Sequence, residues 1–136
     1  MAKTCRVLNK RTDVIPPDAV YVGRPSKWGN PYKIGKDGSR DDVIRLYRAA
    51  LLAALNAPNA WKEMRFQELQ GHDLVCWCAP LPCHADVLME LANKEDTQLA
   101  VLVATLQQMV RAAGHDLVEI HGKAELLRIC RRQEKP

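Results

Sequence analysis

The chain has 136 residues, is 47% apolar and 26% charged, and carries 8 Pro and 7 Gly, the make-up of an ordinary globular domain and not of a disordered, collagenous or repeat protein. A formal net charge of +4 permits an anionic ligand without demanding nucleic acid, which it does not exclude either. The longest apolar run, Leu99 to Leu106 with Thr105 inside it, is far too short to cross a bilayer, so no membrane partner is expected.

In chain order, Cys5 to Leu8 and Ala19 to Val22 are short apolar or β-branched stretches parted by Ile15-Pro16-Pro17-Asp18, which suits two strands or a strand with a lead-in loop. From Gly23 to Gly38 the chain is broken by Gly23, Pro25, Gly29, Pro31, Gly35 and Gly38, and a long loop is predicted. Ser39 reads as an N-cap with Asp41 and Asp42 in the first turn. The Val43, Ile44, Tyr47, Leu51, Ala54, Leu55 spacing predicts a helix with an apolar stripe for a sheet, ended by Asn56-Ala57-Pro58. A second helical stretch is predicted from about Ala60 to Leu69, closed by Gly71. Leu74-Val75-Cys76-Trp77-Cys78 is a continuous apolar run, the pattern of a strand buried on both faces of a parallel sheet.

Cys83-His84-Ala85-Asp86 then opens a helix that turns Val87, Leu88 and Leu91 inward and ends near Asn93-Lys94. Thr97 to Ala113 is a helix apolar over much of its circumference, closed by Gly114. Asp116 to Ile120 suits a short strand and Lys123 to Arg132 a last helix. The fold class expected is α/β: a small three-layer domain, its mainly parallel sheet flanked by helices, over residues 1–95, with a helical C-terminal extension over 96–136. That extension has more apolar surface than one small sheet needs, which leaves cover from within the chain, a homodimer, or a host-protein partner.

Five cysteines are an odd count for a disulfide framework, and three fall within eight residues, Cys76 to Cys83. The start, Met1 to Arg6, lacks the apolar stretch of a secretion signal, so a cytoplasmic protein with reduced thiols is expected. In Cys76-Trp77-Cys78-Ala79-Pro80-Leu81-Pro82-Cys83-His84 a strand would put Cys76 and Cys78 on one side and Trp77 on the other. Cys83 and His84 would sit at a helix N-terminus, where backbone amides stabilise a thiolate or an anion. Three readings stand. Cys76, Cys78, Cys83 and His84 form a zinc set, against which the stiff Cys-x-Cys spacing counts. Alternatively Cys78, Cys83 and His84 line a catalytic cleft, Cys83 as nucleophile and His84 as acid or base. The third reading is buried structural cysteines beside a capping turn.

The loop Gly23-Arg24-Pro25-Ser26-Lys27-Trp28-Gly29-Asn30-Pro31-Tyr32 offers two cations, a hydroxyl and a turning backbone to an anion, with Trp28 as a flat platform for a base or sugar. Read blandly, it is a tight turn with Trp28 in the core. Asp86 is expected to stabilise its helix, and Cys5 and Cys130 to be small buried hydrophobes.

Val22 to Pro31, Ile34 to Arg40, Leu74 to Cys78 and Pro82 to Leu88 together resemble the small phage and bacterial family called domain of unknown function 4326, over about residues 5–93. The layout is also similar to another uncharacterised α/β family, in which a strand ends in Cys-x-Glu and a Cys-His-Arg turn opens the next helix; here Cys78 stands for that Glu and Ala85 for that Arg. The resemblance implies that the basic loop and the Cys-His turn both lie at strand ends. The expectation is therefore an enzyme or binder for a small anionic metabolite, nucleotide-like, phosphorylated or sugar-bearing. Arg24, Ser26, Lys27, Trp28, Gly29 and Asn30 would be its ligand contacts. The competing expectation is a non-enzymatic binding module, zinc-stabilised or not, that meets a host protein or nucleic acid.

Overall fold

The computed structural model describes residues 5–55, 66–115 and 123–132. Three short strands, β1 (Val7–Asn9), β2 (Val20–Tyr21) and β3 (Leu74–Cys76), make one parallel sheet in the order β1-β3-β2. The helices are α1 (Arg40–Leu55), α2 (His84–Ala92), α3 (Asp96–Ala112) and α4 (Lys123–Arg132), with a 3₁₀ turn at Phe66–Glu68. This is the α/β class with the parallel sheet that the apolar run of β3 calls for: all three of its residues are buried, and Leu74 lies level with both Val7 and Val20.

The chain divides into two compact units, Met1–Pro31 with Glu63–Lys94, and Tyr32–Lys62 with Glu95–Pro136. In the first, α2 packs on β1, β3 and the 3₁₀ turn, burying Leu8, Val75, Leu88 and Leu91. Asp73, 2% exposed, leads into β3 and accepts the Arg6 amide at 2.9 Å. The helix α2 begins where its sequence says it should. Cys83 is the N-cap, its sulfur accepting the Ala85 amide, while the Asp86 carboxylate takes the Cys83 amide at 2.9 Å. Asp86 thus closes a capping box, the stabilising role expected of it.

In the second unit α1, α3 and α4 pack on one another and bury Leu46, Leu52, Leu106, Val110, Leu126 and Ile129. Ser39 and Asp42 cap α1 reciprocally, Ser39 Oγ accepting the Asp42 amide and Asp42 Oδ2 the Ser39 amide. The same carboxylate accepts from Arg131 of α4 and from Arg45; Arg131 first, then the Ser39 amide, holds its pKa down to about 2 against the opposing effect of burial. Of the wide apolar surface of α3, Leu106 and Val110 are covered, whereas Val101 stays 64% exposed. An open groove of about 310 Å³ runs past Leu52, Leu102, Leu106 and Met109, flanked by Arg45 and Arg48.

Of the helical stretch expected over 60–69, the described part holds a 3₁₀ turn at Phe66–Glu68, and residues 60–65, like the strand expected over 116–120, lie outside the described residues. Among those described, no helix is long and apolar enough to cross a membrane.

Candidate functional site

The carboxyl ends of parallel strands are where open α/β sheets bind ligands, since the strands stop there and the connections splay apart. Here those ends carry Asn9-Lys10-Arg11 after β1, Tyr21-Val22-Gly23-Arg24 after β2, and Trp77-Cys78 after β3. The strand β3 ends at Cys76, two residues before the predicted end at Cys78. The physical cause is Asn9, whose Nδ2 donates to the carbonyls of both Trp77 (3.0 Å) and Ala79 (2.9 Å). Those carbonyls therefore leave the ladder, and the chain curls. Trp77, expected to pack on the far face of the strand, is instead 50% exposed.

The indole of Trp77 is held at its edge. Its Nε1–H donates to Tyr21 Oη at 2.8 Å, and that hydroxyl donates to the Arg24 carbonyl at 2.7 Å. Lys10 Nζ lies 4.6 Å from the centre of the Tyr21 ring and 5.4 Å from that of Trp77, and the Arg11 guanidinium 5.7 Å from that of Trp77, distances at which a ring face attracts a cation. An open pocket of about 490 Å³ is lined by Asn9, Arg11, Thr12 and Trp77. Asp13 is the nearby acid, and its carboxylate is occupied by the Asn9 amide at 2.7 Å. Gly23 is required beside this group, because a Cβ there would stand 2.5 Å from Tyr21 Oη.

The same curl folds Cys78 back towards Cys76. The sulfurs of Cys76, Cys78 and Cys83 lie within 4.8 Å of one another, with Cys76 and Cys83 1% and 3% exposed and Cys78 half-buried. Cys83 Sγ is 3.2 Å from Cys76 Sγ and 3.3 Å from His84 Nδ1. The S–H of Cys83 stabilises a thiolate on Cys76 and pulls its pKa down to about 6 against the opposing effect of burial, helped by the amides of Cys78 and Ala79. One proton shared by two sulfurs makes the second ionisation correspondingly hard, so Cys83 is pushed up, first by Cys76 and then by burial. His84 Nε2 is 2.7 Å from the Val22 carbonyl, an acceptor, so that nitrogen carries the hydrogen. Burial lowers the His84 pKa; the hydrogen bond to Val22 opposes this and the Arg24 charge adds to it. In this tautomer Nδ1 carries no hydrogen, and it faces Cys83.

The basic loop reaches the site only in part. Arg24 lies beside His84 and Tyr21. Lys27 turns away to an ion pair with Glu68 at 2.8 Å. Trp28, read as a ligand platform, is 2% exposed and stacked on Phe66 with ring centres 5.9 Å apart; its faces are core, as in the bland reading of the loop. Gly29 folds tightly on Arg24, where a Cβ would meet Arg24 Cγ at 2.9 Å, and Asn30 is buried. Ser26 Oγ is buried and has no hydrogen-bond partner among the described residues. The sequence reading missed Asn9, Lys10, Arg11, Tyr21 and Trp77 as one group. The available signal was the placement of all five within two residues of a strand's carboxyl end. Cys5 and Cys130, both half-buried, stand outside the thiol cluster.

Parallel strands ending in an aromatic, cationic cleft beside clustered thiols define a small α/β protein with a candidate site at the sheet's carboxyl edge. The chain belongs to the family described as Domain of unknown function (DUF4326), whose model matches residues 6–94. It is 33% identical over 104 residues to a protein of Enterobacteria phage T4 described as an uncharacterized 12.4 kDa protein in the nrdA-td intergenic region, an alignment covering 73% of this chain and 90% of the phage protein. The family resemblance carried by the loop and the Cys-His turn therefore holds. No solved structure matches the chain.

Proposed function

We propose that this protein binds a nucleotide unit, base plus phosphate, at the carboxyl ends of its strands, whether the unit is free or part of a single strand. The observation that carries the reading is Trp77, half exposed, pinned at its edge by Tyr21 and flanked by Lys10 and Arg11 beside an open pocket. A ring fixed in place loses little freedom when a base stacks on it, and such stacking contributes about 1–3 kcal/mol. Lys10 and Arg11 are then drawn from ring to phosphate, a charge-assisted contact of about 1.5–3 kcal/mol.

Binding is favoured over nucleophilic catalysis by the burial of Cys76 and Cys83, because a sulfur that a substrate cannot reach attacks nothing. The test is tryptophan fluorescence during titration with adenosine and thymidine monophosphates, a short thymidine oligonucleotide, and inorganic phosphate. Saturable quenching by nucleotides but not phosphate, lost in Trp77→Ala and weakened in Arg11→Ala, is expected. Comparable affinity for monomer and oligonucleotide would assign a free nucleotide, and a strong gain with length would assign a single strand. Quenching that survives Trp77→Ala, or no quenching by either nucleotide form, would refute the reading.

A further inference from the structure

We infer that Cys76, Cys78, Cys83 and His84 hold one zinc-class cation through three thiolates and the His84 Nδ1. This does not rest on the nucleotide reading. The objection from sequence was that Cys-x-Cys along a rigid strand splays its sulfurs, and the structure removes it: β3 stops at Cys76 and the Asn9 bonds curl the next residues back. Around a tetrahedral zinc, bond lengths require about 3.8 Å between sulfurs and about 3.6 Å between sulfur and nitrogen. The three sulfurs lie within 4.8 Å of one another, Cys76 and Cys83 at 3.2 Å, and His84 Nδ1 at 3.3 Å from Cys83. The Cys76–Cys83 edge, at 3.2 Å, opens by about 0.6 Å to that spacing, and His84 Nδ1, 3.3 Å from Cys83, closes on the ion from that side.

Two further features are those a metal site uses. The Nε2–H of His84 is bound to the Val22 carbonyl, the outer contact that fixes a ligating imidazole in the right tautomer. Backbone amides of Cys78 and Ala85 point at Cys76 Sγ and Cys83 Sγ, each at 3.5 Å, and such contacts spread thiolate charge. With its hydrogen on Nε2, His84 has a lone pair on Nδ1, which lies 3.3 Å from Cys83 Sγ. On binding, the thiols release their protons to solvent as Zn–S bonds form, and the Nδ1 lone pair completes the set. No atom changes oxidation state, and the loaded site has a net charge of one negative unit.

The experiment uses the full chain, purified without chelator in a phosphine reductant, with metal measured per chain and zinc affinity by competition with a chromophoric chelator. About one zinc per chain is expected, lost in Cys78→Ser and kept in Cys130→Ser, whose cysteine stands outside the cluster. His84→Ala should bind zinc about tenfold or more weakly. Should Cys78→Ser not fold, cobalt(II) added to the metal-free parent decides, with intense visible bands and thiolate charge-transfer absorption expected for a tetrahedral thiolate site. A reduced, folded parent that takes up no zinc, stoichiometric zinc in folded Cys78→Ser, undiminished affinity in His84→Ala, or the pale spectrum of octahedral cobalt would overturn the assignment.

Discussion

Asn9 joins the end of β1 to the turn after β3, and its removal tests whether that junction builds the site. Its Nδ2 donates to the Trp77 and Ala79 carbonyls at 3.0 and 2.9 Å, and its Oδ1 accepts the Arg11 amide at 2.8 Å. Each such bond contributes about 0.5–1.5 kcal/mol net. The Ala79 bond is part-buried while the other two face solvent, where water replaces part of what is lost. Asn9→Ala should therefore destabilise by about 1.5–2.5 kcal/mol, or a fall of about 5–10 °C in Tm for a chain of this size. Asn9→Asp keeps the acceptor for Arg11 but sets a carboxylate oxygen against two carbonyls. Its loss at pH 7 should equal or exceed that of Asn9→Ala and shrink below about pH 4, where protonation restores one donor. Urea unfolding followed by circular dichroism measures both. Asn9→Ala within about 0.5 kcal/mol of the parent, or Asn9→Asp as stable as the parent at pH 7, would refute the reasoning.

The Asp42 carboxylate is held at about 2 from an ordinary 3.8, chiefly by Arg131. A folded-state value below the unfolded one gives stability that is whole above about pH 4 and fades as pH falls through about 2. With Arg131 half exposed and screened, that contribution is about 1 kcal/mol, and an acid titration of Asp42→Asn against the parent should show the gap close over that window. Trp28 and Trp77 should separate stability from binding. Trp28→Ala empties a core stack and should destabilise by about 3–5 kcal/mol, whereas Trp77→Ala, half exposed, should cost less than about 1 kcal/mol and abolish nucleotide quenching. Gly23→Ala pushes on Tyr21 Oη and should weaken nucleotide binding about tenfold with little loss of Tm, read by the same titration.

Local chemistry was legible wherever neighbours in sequence are neighbours in space. The apolar run of β3 announced a buried parallel strand, Cys83 and Asp86 announced the start of α2, and Gly114, at φ +86°, follows the end of α3. The clustering of thiols near a helix N-terminus was legible for the same reason. What stayed hidden depends on distant partners. The alternation rule carries a strand onward until something interrupts it, and the interruption after Cys76 comes from Asn9, 68 residues from Trp77. Which tryptophan is buried and which exposed likewise turns on Phe66 and Tyr21, far along the chain from the rings they hold. The grouping of α1 with α3 and α4 rests on contacts, such as Asp42 with Arg131, that leave no local pattern.

The most direct test of nucleotide binding at the strand ends is the indole N–H spectrum of ¹⁵N-labelled protein, which has one signal for each of its three tryptophans, assigned with Trp77→Phe and Trp28→Phe. Titration with a nucleoside monophosphate should move the Trp77 signal saturably, since its Nε1–H is bound to Tyr21 at the edge of the stacked ring, and leave Trp28 in place. A Trp77 signal that does not respond while another part of the spectrum shifts, or a spectrum unchanged at millimolar nucleotide, would contradict it.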